Sequence, residues 1–289
     1  MFITDFYKHI KRFIQTHRHK IGKNLFAESL LKRKGLENQC HQIEFLALGS
    51  SHCARGFDAD LIQNAYNLGN SNQDLYTSYQ LLKKYLPMLK NLKHVVLFYA
   101  VFSPGHELAK TMAAKQVAIN HYVFDIPYDV TYLPAWKKAA RKRYKKFDDS
   151  TIDYKNFFGF SPGDDPNTTP LEERCAKHIR ENQRPSHQTK YVKLMADLCQ
   201  KNHIRFSVII CPCRPDYMQF ILKNIPDPFA ELKNLLKEQP YRKIQFLDWN
   251  TWQNFCNTDF SDADHVNSLG AKKLTQQLAQ KLLLPLKKQ

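Results

Sequence analysis

Five short apolar runs, each closed by turn-forming or charged residues, constrain this chain more than any other feature. They are Phe45–Gly49, Asn64–Gly69, His94–Phe102, Arg205–Cys211 and Lys243–Trp249. Runs this short and this apolar read as strands buried in a parallel sheet. Segments of helical period lie between them. Gln73–Lys90 sets Leu75, Tyr79, Leu82 and Leu86 on one face. A helix capped by Ser186 and running to Lys201 turns Tyr191, Leu194, Met195 and Leu198 inward. Asp58–Ile62 reads as a short helix or turn, Pro228–Lys237 as a helix, and Ser268–Leu284 as the last helix. The alternation predicts an α/β protein, a three-layer α/β/α sandwich with a parallel sheet and right-handed crossovers. His94–Phe102, the most strand-like run, is expected at its centre.

Two segments fall outside this frame. Residues 1–40 read as helix, with Phe2, Ile3, Phe6, Ile10, Phe13 and Ile14 on one face and Lys8, Lys11, Arg12, His17, Arg18 and Lys20 on the other. Such a basic amphipathic segment either packs on the domain or rests on a membrane or a partner enzyme. The α/β domain is then 41–289, with an insertion at about 104–185. The insertion holds many aromatics, a basic run from Trp136 to Lys146 and a Pro/Gly/Asp loop at Ser161–Pro170. It is expected over the strand ends as a lid or acceptor groove.

Charge narrows the partners. Lys+Arg 43 against Asp+Glu 27 gives a formal net charge of +16, which favours an anionic partner. No zinc-finger, RNA-recognition or helix-turn-helix signature accompanies it, so nucleic acid is not favoured. The basic run is either a solvated helix face or one wall of a groove for an anionic polymer. Seven cysteines, an odd number without metal-ligand spacing, suit a reducing compartment, and no metal is expected. Met1–Gln15 lacks the continuous apolar core of a secretory leader, and no run approaches the roughly 20 apolar residues of a spanning helix. A cytoplasmic protein, with peripheral membrane association through its N-terminal helix as an option, is the expectation.

The chemistry concentrates at the two ends of the domain. Gly49-Ser50-Ser51 follows the first strand, where open α/β sheets place reactive groups, and Gly49 lets backbone and substrate come close. Near the other end, Asp262-Ala263-Asp264-His265 stands on a loop entering the final helix. An Asp and a His three apart can act together: the carboxylate fixes the imidazole tautomer while the imidazole takes a proton from a serine. A bland alternative exists for each, a capped strand-to-helix turn and a polar loop. His52 reads as a packing or hydrogen-bonding neighbour of the nucleophile. Arg55 could meet an anionic substrate.

Together these ends resemble the SGNH (GDSL-type) esterase and acyltransferase superfamily. Gly49-Ser50-Ser51 is similar to its first motif, with Ser in place of Asp at the middle position. Asp262-Ala263-Asp264-His265, continuing Val266-Asn267-Ser268-Leu269-Gly270-Ala271, is similar to its last. Asn67-Leu68-Gly69-Asn70-Ser71 looks like the second motif, whereas the third has no counterpart at Phe98–Gly105. The resemblance implies a flavodoxin-like sheet, Ser51 as nucleophile, His265 as base and Asp262 as orienting acid, with Ser50 the alternative nucleophile. It also implies an oxyanion hole from the amides of Ser51 and Gly69, with Asn70 or Ser103 in place of the missing third donor. The expected activity is O-acetyl transfer from acetyl-CoA, through an acyl-serine, to a sugar hydroxyl of an anionic bacterial surface polysaccharide such as capsule. His52, Arg55, Lys142, Arg143, Lys145 and Lys146 are the substrate-binding candidates. An esterase or deacetylase using water and a non-catalytic polyanion-binding protein are the other readings.

Overall fold

The computed structural model describes residues 23–111, 114–129, 133–145, 154–164, 169–250 and 254–287. The amphipathic pattern over 1–22 and Lys146 lie outside the described residues.

The strands are β1 (Phe45–Gly49), β2 (Ala65–Asn67), β3 (His94–Tyr99), β4 (Arg205–Ile210) and β5 (Gln245–Asp248). They form one sheet in the order β2-β1-β3-β4-β5, and every pairing is parallel. β3 is central, as its apolar run requires. It pairs with β1 from Phe45↔His94 and with β4 from His94↔Arg205. The order reverses between β1 and β3. At such a switch point the chains leaving the strands diverge and open a crevice beyond their carboxyl ends.

Period-two alternation splits the strand residues between two cores. Leu46, Leu48, Val95, Leu97, Tyr99, Val208 and Ile210 pack to one face. Phe45, Ala47, Val96, Phe98 and Ile209 pack to the other. Helices α1 (Lys23–Gln39), α3 (Leu75–Tyr85) and α7 (Lys190–Lys201) cover the first, through Phe26, Leu30, Leu36, Leu82, Val192 and Met195. Helices α2 (Ser51–Gly56) and α10 (Ser268–Leu282) cover the second, with Cys53, Leu274, Leu278 and Leu282. The molecule is thus a three-layer α/β/α sandwich. The remaining helices are α4 (Ala114–Phe124), α5 (Leu133–Lys145), α6 (Leu171–Asn182), α8 (Pro215–Asn224) and α9 (Ala230–Leu235).

Several boundaries differ from the sequence expectation for physical reasons. β3 ends at Tyr99 rather than Phe102, because the Ala100 amide donates to Ser103 Oγ and turns the chain. The helix expected over Gln73–Lys90 starts at Leu75, capped by Asp74, and gives way at Leu86–Met88 to a 3₁₀ turn containing Pro87. Ser186 does not cap α7. Its hydroxyl donates to the Gly105 carbonyl, and Thr189 stands at the N-cap. Helix α8 was not anticipated; Pro215 sits at its first turn, where a missing amide costs nothing. Residues 23–39, assigned by sequence to a separate N-terminal segment, belong to the domain core. Lys32 is wholly buried, its ammonium donates to the Gly69 carbonyl, and its own carbonyl accepts from Tyr66 Oη at 2.6 Å.

Among the described residues, no helix is long and apolar enough to cross a membrane.

Candidate active site

Ser51 is the first residue of α2, directly beyond β1, and half emerges from the core. Gly49 makes the turn with φ 145°, and a Cβ there would lie 2.7 Å from the Phe98 carbonyl oxygen of the neighbouring strand. Any larger residue would push β1 away from β3.

His265 arrives from the opposite end of the chain. The loop before α10 is held by reciprocal bonds. Asp262 Oδ1 accepts from the amides of Asp264 at 3.0 Å and His265 at 2.8 Å, and the Ser261 amide donates to the His265 carbonyl at 3.0 Å. This tight loop aims the imidazole at Ser51. Asp262 Oδ2 lies 2.8 Å from His265 Nδ1, and His265 Nε2 lies 2.7 Å from Ser51 Oγ across 214 positions of sequence.

The tautomer follows from charge. Burial raises the pKa of Asp262, but its bond with His265 and the nearby Arg174 override burial and bring it to about 2. An ionised Asp262 can only accept, so His265 Nδ1 carries the proton and donates it. Nε2 is left with a lone pair facing the Ser51 hydroxyl. Burial also lowers the pKa of His265, against the pull of Asp264 and Asp262, which keeps the ring neutral near pH 7.

A second chain of contacts runs beside the first, though Asp264 Oδ2 makes no hydrogen bond among the described residues. Ser50 Oγ lies 3.2 Å from His52 Nδ1, and His52 Nε2 lies 3.0 Å from Asp264 Oδ2. Ser50 is 4% exposed and Asp264 1%, so this chain of contacts is sealed, whereas Ser51 opens to a cavity. Arg174 joins the two. Its Nε contacts Asp264 Oδ1, and its Nη2 stands 3.5 Å from Asp262 Oδ2; the 2.8 Å approach of Nη2 to His265 Nδ1 sets donor against donor in this tautomer and is no hydrogen bond there. Asp264 stays ionised well below the ordinary carboxylate range, because the surrounding imidazoles His265, His178 and His52 outweigh its burial. His52, Asp264 and His265 present ligand atoms within 4.8 Å of one another, the one such grouping among the described residues. A cation there would face the guanidinium of Arg174, so the donors suit a proton relay better than a metal.

The cavity at Ser51 has a volume of about 440 Å³. Its far wall is α6, from the insertion. Arg174, Lys177, His178 and Glu181 recur there at helical spacing and share one face. With Arg55 and Arg180, the wall is mainly basic. His106 lies 3.5 Å from Glu181 and contacts the Asn72 carbonyl at 3.1 Å. Burial works against charge on both, yet their mutual attraction raises the His106 pKa and lowers that of Glu181.

The structure brings Ser51, His265, Asp262, His52 and Arg55 together. It does not do so for the other candidates. The Gly69 amide already donates to Asn67 Oδ1 at 3.0 Å, so it is not a free oxyanion donor. Gly69 is needed for close approach instead: a Cβ there would lie 2.6 Å from Cys53 Cβ. Asn70 is buried, with its side chain 3.5 Å from Gln73, and Ser103 spends its oxygen on the Ala100 amide; neither lines the cavity. Ser71 and Asn72, the next residues along that loop, do line it. The Ser51 amide, in the first turn of α2, remains the backbone candidate.

Lys142, Arg143 and Lys145 are also displaced from the expected position. They lie on α5, which packs on α4, and its Tyr144 contacts Phe26 and Arg33 of α1. None of the three lines the cavity, so the basic wall beside Ser51 comes from α6 and not from the densest basic run. Sequence reading passed over Arg174, Lys177, His178 and Glu181. Their signal was a helix whose i, i+3, i+4, i+7 face is ionisable throughout.

Comparisons with known proteins add little about activity. A protein-family model whose description names no function matches residues 143–286, from the end of α5 into the last described segment. No curated protein matches. A solved structure provisionally described as a platelet activating factor from Streptococcus pneumonia is similar at 10% identity, over 96% of this chain and 99% of that one, with a TM-score of 0.43.

Proposed function

We propose that this protein is a serine O-acetyltransferase, which carries an acetyl group on Ser51 from acetyl-CoA to a sugar hydroxyl of an anionic surface polysaccharide. One observation carries the reading. The relay Asp262–His265–Ser51 ends in a hydroxyl that faces a cavity walled by Arg55, Lys177 and Arg180.

The chain's groups suit each step. His265 Nε2 takes the Ser51 proton as Oγ attacks the thioester carbonyl. The imidazolium is stabilised by ionised Asp262, and the Ser51 amide is placed to donate to the developing oxyanion. The thiolate leaves with the proton from His265, and Ser51 is left acetylated. A sugar hydroxyl then gives its proton to His265 and attacks the ester. Collapse returns that proton to Ser51 Oγ and releases the acetylated sugar. The basic wall would hold the phosphates of the donor or the charged groups of the acceptor. If water attacks instead, the same relay performs ester hydrolysis.

The test is incubation with labelled acetyl-CoA and anionic polysaccharides. Label on polymer, lost in Ser51→Ala, supports the transferase. Label appearing only as free acetate would assign the site to hydrolysis. No turnover of acetyl-CoA or of any small ester would remove the catalytic reading.

A further inference from the structure

A second cavity, of about 490 Å³, lies next to the one at Ser51. His106 lines the first and Glu107 lines the second. The rim between them is fastened on both sides: the Gln188 amide donates to the Pro104 carbonyl at 2.8 Å, and Ser186 Oγ donates to the Gly105 carbonyl at 2.6 Å. The catalytic relay makes no use of this second cavity.

Its lining is aromatic and mixed in charge. Tyr76 packs edge-on against Tyr128 and Tyr191, with ring centroids 5.5 Å and 5.3 Å apart. Tyr79 stacks on Tyr191 at 5.9 Å and 28°, and Lys190 Nζ lies over the Tyr191 ring 5.2 Å from its centroid. Bonds fix the shelf: Tyr76 Oη donates to the Pro127 carbonyl, and Tyr128 Oη lies 2.8 Å from Thr77 Oγ1. Asp74, Glu107 and Asp129 face Lys110 and Lys190, so a polyanion finds no net attraction there. One group is left unanswered. Gln188 is 3% exposed and lines the cavity, and its Oε1, covered in this conformation, meets no hydrogen-bond partner among the described residues. A buried acceptor without a donor is unfavourable, so an occupant whose donor draws this amide into the cavity is favoured.

We propose that this cavity is a subsite for a neutral sugar unit of the acceptor, adjoining the charged unit held at Ser51. A pyranose suits these features. Its C–H face packs on tyrosine rings, its hydroxyls donate to the carboxylates and, with a turn of the Gln188 amide into the cavity, to Oε1, and it needs no counter-charge. The acceptor would then be a polymer in which charged and neutral units are neighbours. The inference rests on the proposed function for its biological sense, but the site itself is tested without catalysis.

Saturation-transfer NMR on the full chain, with methyl glucopyranoside, methyl galactopyranoside and N-acetylglucosamine as probes, decides it. Transfer to at least one glycoside is expected in wild type, in Ser51→Ala and in Tyr191→Phe, and its loss in Tyr191→Ala and Gln188→Leu. A thermal melt shows that each variant is folded, and Tyr191→Phe shows that the ring is what matters. No transfer to any of the three, or transfer unchanged in both Tyr191→Ala and Gln188→Leu, overturns the subsite. Tyr191-dependent transfer to adenosine monophosphate but to no glycoside also overturns it. Failure of the catalytic reading is separate: it would show as small-ester turnover that survives Ser51→Ala.

Discussion

The imidazoles of His52 and His265 lie 4.7 Å apart with their planes tilted by 32°, and each faces its own carboxylate. His265 belongs to Asp262 and Ser51, and His52 to Asp264 and Ser50. Adjacent serines thus stand at adjacent imidazole–carboxylate pairs, of which one opens to the cavity. Replacing Ser51 by Ala should lower acyl transfer about a thousandfold or more while leaving the melting temperature nearly unchanged, and His265→Ala should lower it comparably but also cost stability, because a buried ring bonded to Asp262 is lost. Ser50→Ala should keep most activity. If Ser50→Ala is inactive and Ser51→Ala is active, the nucleophile is Ser50.

The pH profile follows from His265. The proposed reaction needs its neutral form, and burial holds its folded pKa below the ordinary 6.5. Activity should therefore be on a plateau at pH 7 and fall only as the pH drops below 6.5. Asp262 stays ionised throughout that range, since its pKa is about 2. Rates of small-ester hydrolysis from pH 4 to 8 check this. An acid limb centred above 6.5 would contradict the assignment of His265 as base.

Arg174 holds Asp264 and Asp262 from across the cavity, so it ties α6 to the loop that bears His265. Its side chain is 11% exposed, and removing it strands a buried carboxylate. Arg174→Ala should cost about 3 kcal/mol of stability. Adding Asp264→Asn to that variant should restore part of the loss, because the unpaired charge goes with it. Denaturant melts of the two singles and the double measure the coupling. Strict additivity would mean that the pair does not act as a unit.

Gly69 packs its Cα against α2. Gly69→Ala would force a Cβ to 2.6 Å from Cys53 Cβ and 2.9 Å from the Ala54 amide nitrogen. Neither neighbour is the tip of a flexible chain. The helix that begins with Ser51 must move, at a cost of about 1–3 kcal/mol. Thermal stability and acyl transfer should fall together. An unaltered melt would show that the loop shifts without strain.

Charge steering is assigned to the cavity wall and not to the densest basic run. Gln at Lys177 and Arg180 should raise the KM for an anionic polymer and weaken its salt dependence. The same change at Lys142 and Lys145 on α5 should leave both alone. Steering fades with salt because the Debye length shrinks from about 10 Å at 0.1 M to about 3 Å at 1 M. Kinetics with polymer and with a small neutral ester across that range separate the two faces. A larger effect from α5 than from α6 would return the run at 137–145 to a substrate-binding role.

The layered fold and the two short motifs that meet in the site were legible in the amino-acid order. Apolar runs such as Phe45–Leu48 and His94–Tyr99 are too short for buried helices and are bounded by turn residues, so they are buried as strands, and period-two alternation divides their side chains between two cores. Ser51 and His265 were legible because each stands at the end of a recognisable strand or at the head of a helix, positions set by local chain geometry. Only the tertiary structure decided which groups surround them. Arg174 reaches Asp264 across 90 positions, a proximity set by how α6 packs rather than by any local pattern. Likewise Asn67 takes the Gly69 amide through its side chain, and α5 carries the basic run onto α1 and α4. Periodicity shows that a helix has a charged face, but the direction of that face depends on long-range packing, and that is what placed α6 beside Ser51 and α5 away from it.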